Sequence, residues 1–209
     1  MKRVIDHIVY AVHNLEETVL EFEKKLGVRP IFGGYHRSQG TKNALINLNN
    51  ESYLELLSVD HTNTIISSPR WMGVDVLSKN QITRIALKSN TLENDQAVLK
   101  KHDATMGKIS GGSRNTTNGS VLQWRLIMPL STPEVELAPF MIDWSKSQAH
   151  PSTSLPDMGC TLIELYATHP RPEQIRHLYE TLDFKIEIKE SQKISLNMVL
   201  NTPNGNITL

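Results

Sequence analysis

The stretch Gly33–Asp60, GGYHRSQGTKNALINLNNESYLELLSVD, decides the fold. It packs a doubled glycine, a histidine, a Gly40-Thr41 turn and two alternating runs into one short hairpin-like segment. The second run, Ser52–Leu57, carries Glu55 where a strand ordinarily places an apolar or neutral side chain. An unpaired buried carboxylate is costly, so Glu55 faces either water or a pocket with a use for it. Upstream, Asp6-His7-Ile8-Val9-Tyr10-Ala11-Val12 opens another apolar strand with a histidine. A His and a Glu entering one pocket from two strands is the pair that organises the rest.

Working outward, Ile5–Val12 is rich in Val and Ile and reads as a strand. Asn14 is placed as a helix N-cap with Glu17 completing a capping box. Leu15, Val19, Phe22 and Leu26 recur at helical spacing, and Gly27 stands where a terminating glycine would. Strand-like segments then follow around Pro30–Phe32, Asn43–Leu48 and Tyr53–Val59. The order is strand, helix, three strands.

After a connection over Asp60–Lys79 the pattern returns. Ile82–Lys88 reads as a strand, Asn90 as an N-cap with Glu93 three residues on, and a helix runs to about His102. A Gly/Ser/Asn-rich segment around Gly111–Arg114 and an Asn118-Gly119 hairpin signal precede the alternating Val121–Met128 and a closing strand, Pro139–Trp144. Ala149–Asp157 reads as a polar linker. A third start follows: a strand over Thr161–Thr168, Pro172 at a helix start, a stripe of Ile175, Leu178, Tyr179 and Leu182, and two strands paired through Asn204-Gly205. The reading is an α+β fold of repeated βαβββ modules, over 1–60 and 79–148, with a third, partial unit over 158–209. Their mixed sheet curves around a central cleft, helices on its outer face.

Composition narrows the function. The 209 residues, 39% apolar and 21% charged, can bury a sizeable core. Lys plus Arg and Asp plus Glu number 22 each, which argues against nucleic-acid binding through bulk charge. One cysteine, Cys160, excludes an internal disulfide framework, fits a reducing compartment and lacks a basic neighbour to activate it. No apolar run approaches the roughly 20 residues needed to span a bilayer, and Asp6 and His7 break the signal-peptide pattern. A cytoplasmic protein with no membrane or nucleic-acid partner is expected. A P-loop, a dinucleotide fingerprint, a Gly-x-Ser-x-Gly elbow and a His-Glu-x-x-His helix do not occur.

The βαβββ unit, with His7 on its first strand and Glu55 in the Leu-Glu-Leu of its fourth, resembles the vicinal oxygen chelate superfamily, which includes glyoxalase I, extradiol dioxygenases and bleomycin-binding proteins. Gly33-Gly34-Tyr35-His36, Gly40–Leu45 and Tyr53–Leu56, with Ser113-Arg114, Gly119, Trp124-Arg125 and Pro139–Trp144, are similar to its glyoxalase-like domain group over roughly residues 4 to 150. The resemblance implies His7 and Glu55 as ligands of a divalent metal (Fe, Mn, Ni, Co or Zn) that polarises substrate oxygens. It also implies a small-molecule ligand and leaves a homodimer open. In the second module Ile82, Thr83 and Arg84 stand where His7 is expected, and Asp143 lies on the closing strand.

His36, after two glycines that let backbone approach a ligand, is a catalytic candidate beside Glu55, or a third metal ligand. Thr41 and Asn43 either touch the ligand or stabilise the turn. Arg114 and Arg125 either grip an oxygen-rich substrate or form surface ion pairs, and Asp143 faces either cleft or surface. Trp124 and Trp144 are expected in the core. The expected function is glyoxalase-like action on a small oxygenated metabolite, of lyase, isomerase or dioxygenase type. The alternative is a non-catalytic binding or sequestering protein of the same fold.

Overall fold

The computed structural model describes residues 2–115, 119 and 121–209. Its first five elements are β1 (Ile5–Ala11), α1 (Leu15–Leu26), β2 (Ile31–His36), β3 (Thr41–Asn49) and β4 (Ser52–Val59). Helix α1 starts at Asn14, whose side chain accepts from the Glu17 N–H, and ends at Gly27 in the left-handed region at φ 71°. After a single 3-10 turn at Trp71–Gly73 come β5 (Gln81–Lys88), α2 (Leu92–His102), β6 (Ile109–Asn115), β7 (Val121–Ile127) and β8 (Phe140–Asp143). These eight strands form one mixed sheet in the order β2-β3-β4-β1-β5-β8-β7-β6. β1 and β5 pair antiparallel at its centre, each flanked by the parallel last strand of its own half.

The sheet curves until its outer strands nearly meet. Arg114 of β6 donates to the carbonyl of Gly33 in β2, and a side chain at Gly34 would come within 3.2 Å of the Asn115 carbonyl. Two hydrophobic clusters divide its faces. Ile8, Leu54, Leu56, Ile85 and Met141 pack with Leu15, Phe22 and Leu99 of the helices on the outer face. Val9, Leu57, Ala86, Leu122, Trp124, Phe140 and Ile142 pack on the concave face with Trp71 and Met72. Alternation along a strand therefore decides which side chains enter the cleft.

Several of these readings gain detail and some are corrected. The Gly111–Arg114 segment is strand, part of β6, although glycine disfavours strands. Pairing along all of β7 holds it there, and Gly112 is needed because a Cβ would lie 2.6 Å from the Trp124 indole. The cap of α2 is Thr91, without a side-chain bond, and not Asn90; the Ser89 hydroxyl accepts from the Thr91 N–H instead. Of the hairpin signal at Asn118-Gly119, Asn118 lies outside the described residues. The connection over 60–79 is ordered around Arg70, whose guanidinium donates to the carbonyls of Gly40, Asp60 and Asn63. The linker over 149–157 holds a one-turn helix, α3 (Pro151–Ser154), starting at His150.

The last part comprises β9 (Thr161–His169), α4 (Pro172–Thr181), β10 (Glu187–Glu190), β11 (Ser195–Thr202) and β12 (Gly205–Thr208). It has the β-α-β-β-β succession but a different sheet, β10-β9-β11-β12, with its opening strand internal. The turn between β11 and β12 is Pro203-Asn204, because Thr202 pairs with Gly205. Leu165, Leu178, Leu196 and Met198 join the outer-face core, and the Tyr179 hydroxyl donates to the Leu137 carbonyl at 2.8 Å. This part packs on the outer face of the large sheet, against β3 and β5, and stays away from the cleft.

Candidate functional site: a buried Asp6–His7–Glu55 chain

On the concave face, β1 presents His7 and β4 presents Tyr53 and Glu55, because parallel pairing sets His7 against Tyr53 and Val9 against Glu55. His7 stacks on the Tyr53 ring with centroids 4.7 Å apart and 15° between planes. His7 and Glu55 are each 3% exposed. His7 Nδ1 lies 2.7 Å from Asp6 Oδ1, and His7 Nε2 lies 3.6 Å from Glu55 Oε2. The other Glu55 oxygen accepts from Asn43 Nδ2 at 2.6 Å.

Asp6 anchors this chain. It is fully buried, and Oδ2 accepts from Trp144 Nε1 at 3.0 Å and from His150 Nε2 at 2.9 Å. Burial pushes its carboxyl up, but the hydrogen bonds from His150 and His7 outweigh that and hold it down at about 2. An ionised carboxylate only accepts, so His7 Nδ1 donates to Asp6, and Nε2 is the nitrogen turned toward Glu55. The 3.6 Å between Nε2 and Oε2 is a gap that a proton, a water or a substrate donor would bridge.

His36 lies beside this pair. Burial lowers its pKa to about 4, against the opposing charge of Glu55 and with the help of Arg114 and His7. It is therefore a neutral imidazole near pH 7. Its Nε2 lies 3.5 Å from Asn43 Nδ2, and Nδ1 lies 3.0 Å from Thr41 Oγ1. The Asn43 amide thus spans Glu55 and His36, leaving its buried Oδ1 without a partner. Gly33 makes room for it, since a Cβ there would overlap that oxygen. The Arg114 side chain is buried, which lowers its pKa, while Tyr53 and Glu55 oppose the shift. The space among these groups is only about 20 Å³, roughly one water.

The structure brings His7, His36, Asn43, Glu55 and Arg114 to this pocket, with Thr41 behind His36. Arg125 and Asp143 do not line it. Arg125 pairs with Glu93 of α2, and the Asp143 carboxylate accepts from the Ser145 N–H. Trp124 lines the pocket, so alternation turns the adjacent Arg125 the other way. Sequence reading missed Asp6, Tyr53, Trp71 and His150. Asp6 carried one signal, a second polar residue beside His7 in an apolar strand. Trp71 and His150 come from connections and carried none. Cys160 is buried, which raises its thiol to about 11, in keeping with an inert residue.

The donor set does not fit a resident divalent metal. Among the described residues no three His, Cys, Asp or Glu side chains come together to hold one, whereas catalytic zinc takes three protein ligands. The register explains the shortfall. Ala86 faces His7 across the central β1–β5 pair, and in the parallel β5–β8 pair Ala86 matches Phe140 as His7 matches Tyr53. The second-half counterparts of His7 and Glu55 are thus Ala86 and Ile142, both apolar, and not residues 82–84 and Asp143. The Arg114 guanidinium adds positive charge beside Glu55, where a metal would need donors.

Paired β-α-β-β-β halves with a His and a Glu on the first and fourth strands of one half define a protein of the vicinal oxygen chelate superfamily. The model of the glyoxalase-like domain matches residues 5–182, and the chain belongs to that family. A hypothetical protein from Staphylococcus aureus has a similar structure, with TM-score 0.62 and 20% identity over 100% of this chain and 84% of that one. A methylmalonyl-CoA epimerase from Streptomyces coelicolor, solved with 2-nitronate-propionyl-CoA, is similar at TM-score 0.46 and 19% identity, over 71% of this chain and 99% of that one. A hypothetical protein from Bacillus halodurans gives the same four values. No curated protein matches the chain.

Proposed function

We propose that this glyoxalase-like protein acts on a small oxygenated metabolite by moving a proton next to a carbonyl, in lyase or isomerase chemistry. The observation that carries this reading is the buried pair His7 Nε2 and Glu55 Oε2, 3.6 Å apart, each held from behind by a hydrogen bond to its other end. Glu55 takes the proton from carbon, and the electron pair of the broken C–H bond moves to the carbonyl oxygen. Arg114 stabilises the negative oxygen, the part a metal plays elsewhere in the superfamily. The proton returns to carbon from Glu55, or from His7 after passing across the gap. Asp6 fixes the His7 tautomer and ring, and neutral His36 holds the Asn43 amide on Glu55.

The test is turnover of a panel of dicarbonyl and catechol compounds by the wild type and by Glu55→Gln. Turnover of carbonyl compounds that falls about 10²–10⁴-fold in the variant, with the fold retained, is expected. Consumption of catechol with dioxygen would replace this reading by dioxygenase chemistry.

A second reading, binding without chemistry, is favoured by the size of the inner pocket, about 20 Å³, which admits little beside Glu55. Saturable binding that is unchanged in Glu55→Gln, with no turnover by the wild type, would establish it.

A further inference from the structure

A groove of about 870 Å³ runs along the seam where β2 and β6 approach each other. Four cations line it, Arg37, Arg114, Arg125 and Lys146, and among the described residues no Asp or Glu does. Arg125 is neutralised by Glu93 and Arg114 is tied to the Gly33 carbonyl. Arg37 and Lys146 are exposed and have no ion-pair partner among the described residues. Phe32 and Tyr35 supply an apolar strip, each 40% exposed and in edge-to-face contact at 5.2 Å. At Gly111 an added Cβ would meet nothing nearer than 3.8 Å, so its backbone is open to the groove. The glycine leaves main-chain surface that a ligand can approach closely.

The groove adjoins the inner pocket, since Arg114 and Trp124 line both. Like charges gathered without acids repel each other, and a bound anion relieves that repulsion while making charge-assisted hydrogen bonds. The inner pocket has room for a reacting end alone; the groove has room for a chain. We propose that the groove holds a negatively charged arm of the substrate, carrying phosphate or carboxylate groups, with its charge on Arg37 and Lys146 and its carbon skeleton on Phe32 and Tyr35. The assignment of the molecule's other end rests on the proton-transfer reading; the groove's affinity for anions does not.

The experiment is a titration of ¹⁵N-labelled protein with inorganic pyrophosphate and, separately, with malonate, each against sodium chloride at matched ionic strength. The amides of Gly34, Gly111 and Gly112 report on the groove. Saturable shifts at these glycines, with Kd of about 1 mM or tighter, are expected for at least one anion. Pyrophosphate as the tighter ligand identifies a phosphate-bearing arm, malonate a carboxylate-bearing one. The double variant Arg37→Glu, Lys146→Glu should weaken the titration at least about tenfold while the rest of its spectrum superimposes. Glu55→Gln should titrate like the wild type, which separates the groove from the chemistry. Shifts no larger than those with chloride for both anions, or equal affinity in the double variant, would overturn the proposal.

Discussion

His7 and Glu55 meet across 3.6 Å although they come from strands whose sequences lie far apart, and each is secured from the rear, His7 by Asp6 and Glu55 by Asn43. Side chains fixed at both ends do not reorganise when charge moves, which is the condition for efficient proton transfer. The same fixing makes the site sensitive to single substitutions.

Asp6 collects donors from His7, Trp144 and His150 and titrates at about 2, below the ordinary 3.8. A carboxyl depressed in the folded state adds stability that is complete above 3.8 and is lost as pH falls through about 2. The shift corresponds to on the order of 2 kcal/mol. Asp6→Asn should therefore melt lower at pH 7 by about that free energy and lose less of its remaining stability between pH 4 and pH 2. Chemical denaturation of both proteins at those pH values measures it.

His36 gives a separate pH window. Its folded pKa, about 4 against an ordinary 6.5, means that the unfolded chain takes up the proton first. Stability present above 6.5 should decline as pH falls toward 4, by on the order of 3 kcal/mol. His36→Gln, which does not titrate, should flatten that slope in urea melts taken across the window.

Gly33→Ala should damage the site from behind. The new methyl group overlaps Asn43 Oδ1, and the amide must leave Glu55 or the strands must part. A cost of about 1–3 kcal/mol is expected for such overpacking, together with loss of turnover. Gly111→Ala, where the space is open, is the control and should melt within about 1 kcal/mol of the wild type. Thermal melts of the two variants side by side, with turnover of Gly33→Ala against the wild type, decide it.

Much of this was legible in the sequence because periodicity and turn residues speak locally. Asn14 and Gly27 bracket α1, and Glu55 between leucines marked a strand face that is not merely core. His36, Thr41 and Asn43 follow from one hairpin, so placing the strand placed all three. Arg125 and Asp143 stay out of the inner pocket for a reason of register, since a shift of one residue turns a side chain to the opposite face. The same one-step ambiguity hid Ala86 and Ile142 as the counterparts of His7 and Glu55. Asp6, next to His7, points its backbone direction away yet returns its carboxylate to the ring, which alternation alone does not foresee. Trp71 and His150 arrive from connections whose paths are set by tertiary contacts such as Arg70 to Gly40 and His150 to Asp6. The Gly-rich β6 shows the same effect, a strand made by its neighbours.

The central claim is that Glu55 and His7 move a proton with Arg114, and not a metal, as the cation. The most direct measurement is deuterium incorporation next to the carbonyl of substrates found in the panel, by NMR in D₂O with a strong chelator present. Exchange that persists in chelator and falls at least about a hundredfold in Glu55→Gln is the predicted result. Exchange that chelator abolishes and added divalent metal restores, or that Glu55→Gln retains in full, would contradict the account.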